Sequence, residues 1–302
     1  MSKGLVKVET TALGTIRVDE GEMQRGNVRL VAVERKLQAG IHYTIMPPYK
    51  GKGKLMISPD GADNCNAVAG LHVCCPPPQK EDIRDDKGFQ EVTRRVVVLG
   101  CTPTGAMQII DYSCTFNVRA YFEKDLFGKM KHNGEAIQMG RESDKPDGDG
   151  RWHWLELDDG MGIWMNVAHP EVIKVWETRS QNRQFADRRC MAVARRNALC
   201  QHGAMPQKMI GEYRGRMDEA PQTFKVQAFY FRPEDEMKLA AAANQIAAGV
   251  DPSEIKDAKY IEASHNVGVD DLQGIDDDDP TPEMEENPDM GHVGDPELPD
   301  FD

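Results

Sequence analysis

Long apolar runs are missing from this sequence. No stretch approaches the roughly 18–20 residues that a membrane-crossing helix needs, so no span is expected. The opening residues, MSKGLVKVETT, carry no apolar segment of the kind a secretory signal has, and the expected address is cytoplasmic (host cytoplasm if the chain is viral). Catalytic signatures are missing too. There is no Gly-x-Ser-x-Gly, no His-Glu-x-x-His and no Gly-x-x-x-x-Gly-Lys-Ser/Thr, which leaves acyl transfer, zinc proteolysis and nucleotide hydrolysis without support. The one dense His/Cys group, His72-Val73-Cys74-Cys75, lacks a second pair at zinc-finger spacing. Asp158 and Asp159 read as part of a DDG turn before they read as metal ligands. Seven cysteines, an odd number without regular spacing, read as reduced and mostly buried thiols. The expectation is a protein that is no enzyme and uses no cofactor or metal.

Basic residues are missing from one end. Residues 261–302 hold 15 Asp and Glu and no Lys or Arg, while residues 1–260 hold 37 basic and 35 acidic side chains. The formal charge of −13 is therefore the sum of a nearly neutral body and a strongly acidic tail. An acidic protein is a poor partner for nucleic acid, but a neutral body with an acidic tail is not. What is present in quantity is core material. With 39% hydrophobic residues in 302, one or two folded domains are expected.

Alternation predicts a short strand or two within residues 1–20. Asn27 is a candidate cap for a helix carrying Leu30, Val31, Ala32, Val33 and Leu37, ended near Gly40. Ser58-Pro59 is a second helix start, with a stop at Gly70. EVTRRVVVLG (91–100) and MQIIDYSCTFNVRAYF (107–122) flank TPTG and read as a hairpin; RWHWLEL (151–157) and MGIWMNV (161–167) flank DDG and read as another. A short helix over 170–178, a long one over 183–202 and a strand over 223–231 follow. Pro233 to Ala248 reads as an Ala-rich helix, and Pro252 begins a shorter one. The fold class is α+β: an antiparallel β-hairpin sheet with a long basic helix packed across it, plus a disordered acidic C-terminal tail. The expected divisions are a nucleic-acid-binding core over 1–232, a helical extension over 233–263 and the tail over 264–302.

Two basic groups suggest a ligand. On a wheel of 100° per residue, Arg188, Arg189, Arg195 and Arg196 fall on one side of the long helix, opposite Cys190, Met191, Ala194 and Ala198. Guanidiniums so close repel one another unless an anion answers them, and a phosphate backbone does so bidentately. The plainer alternative is a solvated face paired with local acids. Lys50, Lys52 and Lys54 alternate with glycine beside Tyr49, on one side of an extended segment; the alternative is a flexible basic turn. Arg94 and Arg95 on the first strand of the hairpin join the same candidate set. Trp152 and Trp154 share one face of a strand, and Tyr112, Phe116 and Tyr121 lie on another. They are base-stacking candidates, or core. In the tail, Asp276, Asp277, Asp278 and Asp279, then Leu298, Asp300, Phe301 and Asp302, suit mimicry of nucleic acid or docking on a partner, or simple solubilisation.

Several segments in order resemble a known family. LQAGIHYTIMPP (37–48) and LMISPDGADNCNAVAGL (55–71) are similar to a motif of phage proteins encoded beside recombination genes, through Leu37, Gly40, Tyr43, Pro47, Leu55, Pro59, Gly61, Ala62, Gly70 and Leu71, with Asp63 in place of Glu. IIDYSCTF (109–116) and ARRNAL (194–199) then resemble the hairpin and late basic helix of the single-strand annealing proteins of the RecT/Redβ type. His42, Thr44 and Pro48 depart from that pattern. The tail resembles those of single-stranded DNA-binding proteins, which end in acids around a Phe. The resemblance implies single-stranded DNA binding and annealing in recombination or replication, in a ring or filament of many copies, with replication or recombination proteins recruited by the tail. Two alternatives stand beside it: an OB-barrel single-stranded DNA-binding protein with a recruiting tail, and an interaction module that does not bind DNA and whose tail mimics it.

Overall fold

The computed structural model describes residues 7–11, 14–18, 29–78, 80–147, 150–232 and 236–272. Two short strands, β1 (Lys7–Thr11) and β2 (Gly14–Val18), pair antiparallel as the alternation predicts, and β2 pairs with β3 (Arg29–Gln38). The helix expected over 30–37 is thus a strand. Val33 and Leu37 stand four apart, a spacing that shares a face in either geometry, and both are buried. The β-branched run around them is settled by cross-strand partners in β2 and in a late strand, where Val33 meets Ile16 and Ala228.

Next come β4 (Tyr43–Tyr49) and β5 (Lys52–Ile57), joined by a two-residue turn. The first helix, α1 (Pro59–Ala69), keeps its predicted ends. Ser58 Oγ accepts from the Gly61 N–H at 3.0 Å, and Gly70 closes the helix at φ 65°. Gly61 is required for a second reason: a Cβ there would stand 1.9 Å from the His42 carbonyl oxygen.

The central sheet is built on β8 (Gly88–Cys101), preceded by the short β6 (His72–Cys74) and β7 (Ile83–Asp85), and β9 (Met107–Asn117). β8 and β9 form the expected hairpin, Glu91 opposite Asn117 and Cys101 opposite Met107. The second strand stops at Asn117, five residues early. Asn117 Oδ1 accepts from the Ala120 N–H at 2.9 Å and starts α2 (Val118–Met130). A three-stranded sheet follows, from β10 (Ile137–Arg141), β11 (Trp152–Asp158) and β12 (Met161–Asn166) in the order β10-β12-β11.

The segments read as two helices are one, α3 (Pro170–Gln201). Nothing between 178 and 183 breaks it, since that stretch holds neither Gly nor Pro. Its second half packs across β8 and β9, and its first half closes a second apolar cluster with Phe122, Leu126, Ile137, Ile163, Met165, Val172 and Val175. β13 (Met209–Arg214) pairs with β5, and β14 (Thr223–Arg232) pairs with β3. Last come α4 (Glu236–Ala247) and β15 (Ala258–Asn266).

β15 changes two expectations. It runs parallel to β9, so the central sheet, ordered β15-β9-β8-β6, is not wholly antiparallel. It also carries the fold past the expected boundaries at 232 and 263. Residues 264–266 belong to this strand, and a 3-10 turn follows at Val269–Leu272. The reason is pairing: Ala258 to Asn266 complete the edge of β9, with Ile261 and Ala263 against the core. Residues 273–302, with all the candidate tail residues from Asp276 to Asp302, lie outside the described residues. Among the described residues no helix is long and apolar enough to cross a membrane.

Candidate nucleic-acid interface

The basic row expected on α3 is not formed as one outer face. Arg188 is exposed, but Arg189 and Arg196 are buried, and Arg195 is half-buried beside α1. Arg196 is 0% exposed. Its guanidinium donates to the Asp271 carboxylate and to the Asp271 carbonyl oxygen, both at 3.1 Å. Lys208 also donates to that carboxylate, His265 Nε2 stands 2.6 Å from it, and the Gly268 N–H donates at 3.0 Å. Burial alone would raise the Asp271 pKa; the bonds from His265, Lys208 and Gly268 outweigh it and hold the carboxyl at about 2. Arg189 donates to Asn182, and Arg195 Nε donates to Asp63 at 2.8 Å. The wheel placed the four arginines within a third of a turn but did not say how many neighbours surround the helix. With the sheet beneath, α1 and α2 beside it and the 269–272 turn over its end, only a narrow arc of the second half of α3 meets solvent.

The hairpin arginines are also engaged. Arg94 pairs with Asp82 and Asp187, and Arg95 pairs with Asp111, which also accepts from Tyr260 at 3.1 Å. Tyr112 and Phe116 are buried under α3; Tyr121 lies in α2, edge-on to Phe116 at 5.7 Å. Trp152 and Trp154 do share a face of β11, where Trp154 stands opposite Trp164 and packs on Gly162. Both are half-buried.

The lysine segment is different. The chain turns at Lys50 and Gly51, both left-handed with φ of 52° and 77°, the pair of conformations that suits a tight hairpin between twisted strands. Gly53 is bare because the Tyr213 ring lies against it; a Cβ there would stand 2.1 Å from that ring. Tyr213 donates to the Met46 carbonyl oxygen at 2.8 Å and so ties β13 to both strands of the hairpin. This sets the register. Tyr49, Lys52 and Arg214 stand in one row across β4, β5 and β13, and Met46, Lys54 and Glu212 stand in the next. Lys52, Lys54, Glu212 and Arg214 all point outward, and Tyr49 is 76% exposed, with the Lys50 ammonium 5.3 Å from its ring centroid. Lys54 faces an acid. Lys52 faces Arg214, a like charge directly opposite, which costs a β-pair stability. Lys50, Lys52 and Arg214 make no ion pair with any described residue.

Sequence reasoning missed Arg214. Nothing marked 209–214 as a strand, and only the ladder with β5 brings that arginine to Lys52. Of the thiols, Cys65, Cys114 and Cys190 are buried and all seven are free. Among the described residues no three His, Cys, Asp or Glu side chains are grouped as a metal site. No family model matches the chain, no curated protein matches it, and no solved structure matches it.

Proposed function

We propose that the chain binds single-stranded nucleic acid on the outer face of the β13-β5-β4 sheet, and that it serves strand annealing. The observation that carries this reading is the row Tyr49, Lys52, Arg214. Its two cations oppose each other and pair with no acid among the described residues, and an exposed aromatic ring continues the row. A phosphodiester between Lys52 and Arg214 turns their repulsion into a shared contact, and Tyr49 offers a face on which a base stacks whatever its identity. Arg188 is the one member of the expected α3 row that stays exposed for a further phosphate. The open central sheet, with the long helix α3 across it, supports the annealing type of architecture over an OB fold, whose five strands curl into a small barrel. The tail, recruitment of partners and assembly into a ring or filament remain part of the same proposal.

The test is binding of a deoxythymidine oligonucleotide across a salt series. Lys52→Ala with Arg214→Ala should weaken binding and flatten the salt dependence by about 0.7 in log–log slope for each phosphate contact removed. Duplex of equal length should bind less well. An unchanged slope in the double variant would overturn the assignment to this face. A truncation to remove the acids belongs after Leu272, because Asp271 holds Arg196.

A further inference from the structure

Along the inward side of α3 the residue chemistry changes twice. Val172 and Val175 belong to the apolar cluster under the first half of the helix, and Ala186 and Cys190 belong to the core under the second. Between them the same side carries the N–H donors Arg179, Asn182 and Arg183, the last two buried. Beside them stand the first turns of α2, through Arg119, Phe122 and Glu123, and the β7–β8 turn, through Asp85. Gly88 brings that turn down onto the helix: a Cβ on it would stand 3.1 Å from the Arg183 carbonyl oxygen.

The donors outnumber the acceptors. Arg183 is 7% exposed, and one of its terminal nitrogens pairs with Asp85, but its Nε is buried with no partner among the described residues. Asn182 is 1% exposed; its side-chain oxygen accepts from Arg189, and its Nδ2 is buried with no partner. Trp176 Nε1, one turn before Arg179, is likewise buried without an acceptor. Arg179 makes no ion pair among the described residues. Its guanidinium lies over the rings of Phe122 and Trp176, 4.5 and 4.9 Å from their centroids. The two nearby carboxylates are already taken, Asp85 by Arg183 and Glu123 by Arg119 at 2.8 Å. Buried N–H groups of this kind are nearly always answered, and three of them with no acceptor among the described residues, beside an unpaired guanidinium, are a deficit of negative charge and lone pairs. A guanidinium held against aromatic rings keeps its N–H groups for an acceptor, and it can take a tetrahedral oxyanion through paired N–H bonds.

We propose that this place between α2, α3 and the β7–β8 turn is an oxyanion site that takes a phosphate group, held by Arg179 and the unanswered Nε of Arg183, with Asn182 Nδ2 and Trp176 Nε1 as further donors. The proposal deepens the nucleic-acid reading by supplying a phosphate site separate from the hairpin, and it rests on that reading only for the origin of the phosphate. Free inorganic phosphate and the phosphodiester of a strand share the chemistry.

The experiment uses the full chain and two probes, inorganic phosphate and a short deoxythymidine oligonucleotide, read by indole emission and by thermal midpoint. Phosphate should perturb the emission through Trp176 and raise the midpoint. Arg179→Met, which keeps an apolar side chain over Phe122 and Trp176, should weaken the phosphate response roughly tenfold or more, and Arg179→Lys should retain part of it. Lys52→Ala with Arg214→Ala should leave the phosphate response in place. If Arg179→Met also weakens oligonucleotide binding, the phosphate belongs to the strand; if only the phosphate response is lost, the site takes the free ion. A phosphate response without oligonucleotide binding by any form would keep this site and remove the hairpin reading. No response to phosphate in the unaltered chain, or an equal response in Arg179→Met, would overturn the site; buried water would then be what answers these donors.

Discussion

The late arginines of α3 and the lysine hairpin look alike in sequence, as basic groups at close spacing, and the fold treats them in opposite ways. Arg189, Arg195 and Arg196 are answered from within the chain, by Asn182, Asp63 and Asp271. Lys50 and Lys52 are answered by no acid among the described residues and gain a further cation, Arg214. Basic spacing alone therefore does not mark a binding face. What separates the two groups is charge left unanswered after folding, at positions where leaving it so costs stability. A planar guanidinium suits an internal carboxylate, while a hydrated ammonium on a hairpin stays in water.

The comparison can be broken first at its buried end. Asp271→Ala leaves Arg196 buried and Lys208 beside it with no carboxylate, and should cost roughly 3–5 kcal/mol in urea unfolding. A loss below about 1 kcal/mol would mean that residues 267–272 contribute little to the fold. The two regions should also answer to different variables. Burial pulls the His202 pKa from 6.5 down to about 4 at the end of α3. The unfolded chain takes up that proton first, so stability is full above pH 6.5 and falls as pH drops toward 4, by roughly 3 kcal/mol in all. Asp271 adds a second fall. Its folded pKa lies below the ordinary 3.8, so its contribution is present above about pH 4 and is lost toward pH 2. His202→Asn should remove the first fall and keep the second, as read by unfolding midpoints against pH.

Smaller effects sharpen the hairpin side. The double Lys52, Arg214 variant should lose roughly tenfold or more in oligonucleotide affinity at low salt with an unchanged unfolding midpoint. Arg195→Ala breaks a half-exposed pair with Asp63 and should cost under about 1 kcal/mol, far less than the loss at the neighbouring Arg196 network. The smallest change has the opposite sign: Arg214→Thr relieves the like-charge opposition and should raise stability by a few tenths of a kcal/mol while weakening binding. An affinity unchanged by Arg214→Thr would separate that residue from the interface.

Local signals were legible where local chemistry is sufficient. Ser58, Pro59 and Gly70 bound α1 because a cap oxygen and a left-handed glycine act within one turn. The hairpins around TPTG and DDG were legible for the same reason. The strand at 29–38 was not, because a four-residue apolar spacing fits both periods and the tie is broken by partners at positions 16 and 228. Of the candidate site, Tyr49, Lys50, Lys52 and Lys54 were legible, while Arg214, Arg179 and Arg183 were not. Their meaning depends on what stands opposite them.

By itself the sequence determined the charge partition between body and tail, the α+β class, the hairpins and the ends of α1, since each follows from composition, short-period alternation or one-turn capping. Only the tertiary structure decided which cations are free. An arginine on a helix is a surface group or a core group according to how many elements surround the helix and whether a carboxylate arrives from far along the chain. Asp271 reaches Arg196 across 75 residues, and Lys52 meets Arg214 only through the β5–β13 ladder. No local pattern encodes contacts of that range, because they are set by the packing of the whole chain.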